Sequence, residues 1–145
     1  SRTYRAASSM VRQLSFAALD MELYHRFDPA GGESPNAVKA RIAAHYLAMP
    51  LLPEDRFLCG FQHIFAGGYA AGYYSYKWAE VLEADAFEAF AEAGLDDPEA
   101  VARTGRRYRE TVLALGGGTP PMDVFTAFRG REPDPGALLR RDGLT

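Results

Sequence analysis

The chain contains few of the residues from which metal sites and nucleic-acid surfaces are built. Its 145 residues include one cysteine, three histidines and two lysines, and the formal charge is −3. The single Cys59 excludes a cysteine-based zinc knuckle, an iron–sulfur cluster and an internal disulfide. No histidine is followed by glutamate, so the sequence contains no His-Glu-x-x-His zinc motif. The acidic balance argues against binding to a nucleic-acid backbone.

Long apolar runs and strand signals are also missing. No stretch approaches the roughly 20 apolar residues that span a membrane, so a membrane partner is not expected. Alternating apolar and polar residues are rare, and β-branched residues are few. Hydrophobic residues make up 48% of the chain, which is enough to build a core at this length. The composition therefore predicts a single all-α domain over residues 1–145.

Glycine and proline positions predict where the helices begin and end. A first helix is predicted from Arg5 to Phe27, and its apolar residues form two stripes where a surface helix needs only one. A second is predicted from Pro35 to Met49, with Ser34 as its N-cap. Further helices are predicted over residues 69–93, 98–115, 122–128 and 135–141, with residues 51–68 extended or irregular.

A tyrosine pattern is the most informative feature of the sequence. On the predicted helix, Tyr69, Tyr73 and Tyr76 are spaced to share one face. Gly72 lies on the same face, which indicates that a ligand or another helix approaches the backbone there. Either the tyrosines are core residues with their hydroxyls at the rim, or they donate hydrogen bonds to developing negative charge. His63 similarly is either a structural histidine or a catalytic one.

Other candidate sites have simpler explanations. The segment Gly116–Thr119 lacks the Gly-Lys-Ser/Thr ending of a phosphate-binding loop, so it is interpreted as a helix stop. A paired-carboxylate hydrolase site could use Glu80, Glu83 and Glu88, although ordinary helix solubility explains them as well. Two arginine-rich segments are interpreted as solvated faces or as ion pairs with neighbouring residues.

The region from His63 to Tyr76, continuing through residues 78–85, closely resembles the C-terminal region of the thimet oligopeptidase family of zinc metallopeptidases. That family includes oligopeptidase A and dipeptidyl carboxypeptidase. The resemblance continues through residues 116–117 and 128–133. Upstream, residues 10–20 resemble the family's helix downstream of the metal site. The similarity thus extends over essentially the whole chain.

The resemblance implies a zincin-type fold and a zinc enzyme that cleaves short peptides in a deep channel. In that family the two histidines of His-Glu-x-x-His and a later glutamate hold the zinc, and all of these would precede Ser1. We therefore expect a C-terminal fragment, with zinc in the full-length enzyme and none in this chain. The second stripe of the first helix would then pack on the missing N-terminal part.

The resemblance also implies a role for each candidate residue. Tyr76 would donate to the oxyanion of the tetrahedral intermediate opposite the zinc-polarised side of the scissile carbonyl. Tyr69 and His63 would contact the substrate and the transition state. Substrate-binding roles are implied for three further residues, namely Gly67 and Gly68 in a flexible loop and Tyr73 in the wall of the site.

The leading hypothesis is the substrate-binding and oxyanion-stabilising portion of a cytoplasmic zinc oligopeptidase, inactive without its zinc-bearing segment. The alternatives are a stand-alone helical interaction module that kept the scaffold without catalysis, or one half of a split peptidase. Short peptides and the N-terminal part are the expected partners, and self-association through exposed apolar surface stays open.

Overall fold

The computed structural model describes residues 3–145, and this part of the chain forms helices and no strands. The all-α prediction is confirmed. The residues Arg109–Leu113 form a π-helical turn and Gly116–Gly118 a 3-10 turn. None of the described helices is long and apolar enough to cross a membrane. The α-helices are α1 (Ala6–His25), α2 (Pro35–Tyr46), α3 (Phe57–Gly60), α4 (Gln62–Phe65), α5 (Ser75–Ala93), α6 (Pro98–Tyr108), α7 (Pro121–Arg129) and α8 (Pro135–Asp142).

The chain divides into two compact units, one ending at Lys77 and the other beginning at Trp78. The boundary falls inside the first turn of α5, between its third residue, Lys77, and its fourth, Trp78. We call these the first unit and the second unit. The organisation of residues 1–145 as a single domain stays a prediction.

Several helix ends lie where local signals predict them. The Ser34 hydroxyl accepts a hydrogen bond from the amide of Ala37 and caps α2. The Asp97 carboxylate caps α6 in the same way. Helix α5 ends before Gly94, whose φ of 101° is easily adopted only by glycine. Each of these signals acts within a few residues, which is why the sequence reveals it.

Two segments differ from the predicted helices. The sequence predicts that α6 continues to Leu115, but the helix passes into the π-helical turn after Tyr108. The sequence predicts that residues 51–68 are extended or irregular, yet they contain α3 and α4. The side chain of Ile64 in α4 is completely buried, and its carbonyl accepts a hydrogen bond from the Tyr24 hydroxyl. Packing against α1 therefore stabilises a turn of helix that has no local signal.

The core of the first unit forms between α1, α2 and the short helices. One predicted stripe of α1, containing Phe16, Leu19 and Leu23, packs into this core. Leu14 and Met21 of the other stripe are exposed. The predicted double stripe is therefore present, and only one of its faces is used within the first unit. The buried members of the core are Ala17, Leu19, Val38, Leu58, Phe61, Ile64 and Tyr73.

A buried ion network organises the second unit. The carboxylate of Asp85 in α5 is completely buried. It accepts hydrogen bonds from Arg129 at 2.8 Å, from Arg131 at 2.7 Å and from the amide of Asp134 at 2.7 Å. Burial by itself would raise the pKa of Asp85, but the hydrogen bonds outweigh burial and hold that pKa below its ordinary value. These contacts join α5 to the end of α7 and to the start of α8.

Candidate functional site

Four aromatic side chains form a cluster in the first unit. The ring centroids of Tyr69 and Tyr76 are 4.9 Å apart, and those of Tyr73 and Tyr76 are 5.1 Å apart. The His63 ring lies 5.9 Å from Tyr73, 6.2 Å from Tyr69 and 6.3 Å from Tyr76. The structure therefore brings together all four of the side chains that the sequence singled out, from α4, from the following loop and from the first turn of α5.

The prediction that one helix carries the three tyrosines is wrong. Helix α5 begins at Ser75, so Tyr69 and Tyr73 precede it. Seven residues of ideal helix would separate Tyr69 from Tyr76 by about 10.5 Å along the axis. In the structure the chain turns instead, with the amide of Gly72 donating to the carbonyl of Tyr69 and the amide of Ser75 donating to the carbonyl of Gly72.

A buried carboxylate explains why the helix starts late. Asp20 in α1 accepts hydrogen bonds from the amides of Ala71 and Tyr73, both at 2.9 Å. Ala71 has φ = 52°, a left-handed conformation that costs a residue with a Cβ atom about 1–2 kcal/mol. Asp20 is not among the residues that the sequence pattern indicates. Its only signal was an acidic residue directly beside Leu19, on a helix whose apolar face enters the core.

The tyrosines differ in their access to solvent. Tyr69 and Tyr76 are 39% and 36% exposed, whereas Tyr73 is only 8% exposed. The Tyr73 hydroxyl donates a hydrogen bond to Oε1 of Gln13 at 2.9 Å. Burial raises the pKa of Tyr73. The two interpretations of the pattern thus apply to different residues, because Tyr73 belongs to the core whereas Tyr69 and Tyr76 are partly exposed to solvent.

The exposed pair is chemically suited to donating hydrogen bonds. A hydrogen bond with Tyr69, together with desolvation, raises the pKa of Tyr76 to about 12. The phenol of Tyr76 therefore stays protonated near neutral pH, which a hydrogen-bond donor requires. Beside the pair lies the imidazole of His63, which is exposed. A patch with phenol and imidazole groups can bind a polar substrate oxygen.

Gly67 and Gly68 are required by the backbone for different reasons. A Cβ atom on Gly67 would lie 2.9 Å from the Cα of His63, which is too close for any side chain. Its amide already donates to the carbonyl of Gln62 at 2.7 Å, closing α4. Gly68 has φ = 82° with open space around it. The pair forms a tight turn that leads from His63 to Tyr69.

Gly72 does not support the close approach that the sequence predicted. It precedes α5 and so imposes no cost inside a helix. A Cβ atom there would meet the Tyr69 carbonyl oxygen at 3.6 Å, an ordinary contact. The reason for expecting a ligand or helix against this backbone is therefore removed.

The carboxylates considered for a hydrolase site are ion-paired in the second unit. Glu83 pairs with Arg141, which also lies 3.7 Å from Glu80. Glu88 pairs with Arg140 at 2.8 Å. The interpretation of the arginine-rich C-terminal segment as ion-pairing residues fits these contacts.

Within residues 3–145, no three side chains of His, Cys, Asp or Glu come together as metal ligands. The aromatic rings around His63 belong to Phe61 and to the three tyrosines, and so they add no histidine, cysteine or carboxylate ligand beside it. The described residues thus do not fit a zinc site.

Comparison with known proteins places these residues in context. The sequence model of Peptidase family M3 matches residues 1–144. The chain is 62% identical over 143 residues to the organellar (chloroplastic/mitochondrial) oligopeptidase A of Arabidopsis thaliana, covering 99% of the chain and 18% of that protein. A probable cytosolic oligopeptidase A of the same plant is 61% identical, and oligopeptidase A of Escherichia coli K12 is 43% identical, each with 99% of this chain and 20% of the relative covered. The chain spans about a fifth of the length of these relatives.

Proposed function

Because the chain belongs to peptidase family M3, we propose that it forms the substrate-binding and oxyanion-stabilising portion of a metallopeptidase that hydrolyses short peptides. The resemblance to the thimet oligopeptidase family is confirmed by the family match and by the oligopeptidase relatives. The activity of the whole enzyme is part of the proposal, since the chain spans about a fifth of its relatives.

The adjacent and partly exposed side chains of Tyr69 and Tyr76 are the observation that supports this proposal. When a scissile carbonyl carbon becomes tetrahedral, negative charge develops on its oxygen. One positioned hydrogen-bond donor to that oxygen contributes about 2.7–4 kcal/mol to transition-state stabilisation. We assign this role to Tyr76, whose pKa of about 12 keeps it protonated.

The neighbouring residues would hold the peptide around this donor. Tyr69 and His63 lie beside Tyr76 at the surface and would contact the substrate. The buried ring of Tyr73 supports the wall from within. Gly67 and Gly68 place a turn without side chains next to the cluster, so that an extended peptide backbone can approach it.

Zinc belongs, in this proposal, to the part of the enzyme that the chain lacks, and the isolated chain does not hydrolyse peptides. The test is to measure zinc content and cleavage of a short quenched-fluorescent peptide with this chain alone. Zinc at one equivalent together with turnover would contradict the proposal. The cytoplasmic location stays a prediction, since the relatives include organellar and cytosolic proteins by name.

Substitution of Tyr76 tests the oxyanion role in the full-length peptidase. Tyr76→Phe keeps the ring and removes the donor, so kcat should fall about 10²- to 10³-fold with zinc content and folding unchanged. Tyr74→Phe is the matched control, because Tyr74 is an exposed neighbour whose hydroxyl has no assigned role. A normal kcat for Tyr76→Phe would remove this residue from the mechanism.

The exposed stripe of α1 favours the N-terminal part of the enzyme as a partner of this chain. Leu14 and Met21 present apolar surface, which an adjoining domain would cover. Mixing the chain with a separately expressed zinc-bearing part should then restore peptide cleavage. If the chain instead forms only homo-oligomers and the mixture stays inactive, this assignment of the stripe is wrong.

A further inference from the structure

Asp20 is a charged residue in a position where charge is costly unless it is hydrogen-bonded. Its side chain is completely buried. Oδ1 accepts a hydrogen bond from the amide of Ala71 and Oδ2 accepts one from Tyr73, both at 2.9 Å. The carboxylate thus holds backbone 51 and 53 residues away in the sequence.

The two amides belong to the turn that separates Tyr69 from Tyr76. Ala71 adopts a left-handed φ of 52°, which a residue with a Cβ atom rarely adopts without support. Continuing α5 back through these residues would give the Tyr73 amide a backbone acceptor instead of Asp20. The carboxylate therefore favours the turn over the helix that the local sequence predicts.

This turn determines how the exposed hydroxyls meet. Tyr69 precedes the turn and Tyr76 follows it, and their ring centroids are 4.9 Å apart. A continuous helix would separate the two Cα atoms by about 10.5 Å along its axis. We therefore expect release of the turn to move the two rings apart.

We propose that Asp20 is a positioning residue that fixes the turn through the amides of Ala71 and Tyr73 and thereby holds the Tyr69 and Tyr76 hydroxyls in one site. The inference rests on the proposed function, because that function supplies the peptide substrate to which these hydroxyls would donate. Asp20 itself is buried and touches no peptide. It acts through the backbone of the residues that do.

Amide exchange tests the structural half without any substitution. In the unchanged full-length protein, hydrogen–deuterium exchange resolved by residue should show protection at Ala71 and Tyr73, although Ala71 is exposed. The protection should be lost in Asp20→Asn, whose amide group can accept from one backbone N–H but turns its own donor toward the other. Exchange at the rate of a free peptide in the unchanged protein would overturn the proposal, even if Asp20→Asn does not fold.

Turnover tests the functional half. Asp20→Asn should lower kcat about ten- to hundredfold with KM changed far less, because the donors are displaced from the transition state. Ser15→Ala is the matched control, since Ser15 is a buried residue of α1 whose partly buried hydrogen bond to the Arg12 carbonyl is removed without touching the turn. Normal kcat in Asp20→Asn, in an enzyme that Tyr76→Phe slows, would overturn the proposal.

A rescue variant separates positioning from general stabilisation. Glycine adopts a left-handed φ without steric cost, so Ala71→Gly should restore part of the kcat lost in Asp20→Asn. No recovery in a folded double variant would contradict an action through the turn. A wrong proposed function would give a different pattern of results. Tyr76→Phe would then have a normal kcat, while protection of the Ala71 amide from exchange would still depend on Asp20. That result supports the positioning of the turn and contradicts only the peptidase role.

Discussion

Asp20 and Asp85 are completely buried carboxylates, one in each unit, and they are stabilised in different ways. Asp20 accepts hydrogen bonds from two backbone amides, whereas Asp85 accepts from two arginine side chains and one amide. Backbone amides hold a chain conformation, while arginines bring charge from other elements. The first unit therefore uses its carboxylate to shape a turn, and the second uses its carboxylate to join helices.

The contrast shows why a perturbed pKa does not by itself mark a functional site. The lowered pKa of Asp85 belongs to a carboxylate whose side chain is completely buried, so that substrate has no access to it. The raised pKa of Tyr76 belongs to a side chain that is 36% exposed and next to His63. Access to solvent distinguishes the candidate site from the structural network.

The largest effect on stability is expected in the second unit. Asp85→Ala leaves the buried guanidinium of Arg129 without one of its carboxylate partners, and should lower the free energy of unfolding by about 3–5 kcal/mol. Urea unfolding followed by circular dichroism measures the change. Glu99→Ala is the control, since Glu99 forms an exposed pair with Arg103 worth less than about 1 kcal/mol. Equal losses in the two variants would contradict the assigned importance of the network.

A smaller effect on stability is expected from the turn at Gly67 and Gly68 in the first unit. Gly67→Ala places a Cβ atom 2.9 Å from the Cα of His63, and such crowding should cost about 1–3 kcal/mol. Gly72→Ala is the control, because its Cβ atom makes ordinary contacts. Unfolding curves of the two variants decide the point. A larger loss of stability in Gly72→Ala than in Gly67→Ala would contradict the turn described at Gly67 and Gly68.

Tyr73→Phe should show whether the Tyr73 hydroxyl contributes only to the stability of the aromatic cluster or also to the reaction. The variant loses the hydrogen bond to Gln13 and about 0.5–1.5 kcal/mol of stability. Its ring stays in the wall, so kcat of the full-length enzyme should be nearly unchanged. Steady-state kinetics beside those of Tyr76→Phe make the comparison. A kcat loss as large as that of Tyr76→Phe would assign the Tyr73 hydroxyl to the reaction.

A pH-dependent effect is expected from the same Asp85 carboxylate. Because the pKa of Asp85 is lower in the folded protein than its ordinary value of 3.8, its contribution is fully present above that value. The contribution is lost as the pH falls through the lower folded pKa. Asp85→Asn should therefore be less stable at neutral pH and lose less stability on acidification below about pH 4. Parallel pH profiles for both proteins would show that Asp85 does not contribute this dependence.

The predictable parts of this fold are those with short-range causes. Ser34 and Asp97 cap helices whose first amides lie within three residues, and Gly94 ends α5 through its own φ. The late start of α5 has a long-range cause, because Asp20 lies 53 residues before the Tyr73 amide that it holds. No local pattern could reveal that contact.

The same distinction applies to the charges. The sequence shows that Arg129 and Arg131 are positively charged, and it left open whether they are solvated or paired. Their partner Asp85 lies 44 and 46 residues away. Only the packing of α5 beside the end of α7 brings the groups within hydrogen-bonding distance.

The sequence by itself determined the all-α class, the family and the four aromatic residues of the candidate site, because composition and a distinctive motif are properties of the chain. The tertiary structure alone decided that Tyr73 is buried and that Tyr69 and Tyr76 meet at the surface. The physical reason is that a buried carboxylate must be hydrogen-bonded. Asp20 satisfies this requirement with two distant amides, and in doing so it replaces the first turns of the predicted helix with the turn that pairs the tyrosines.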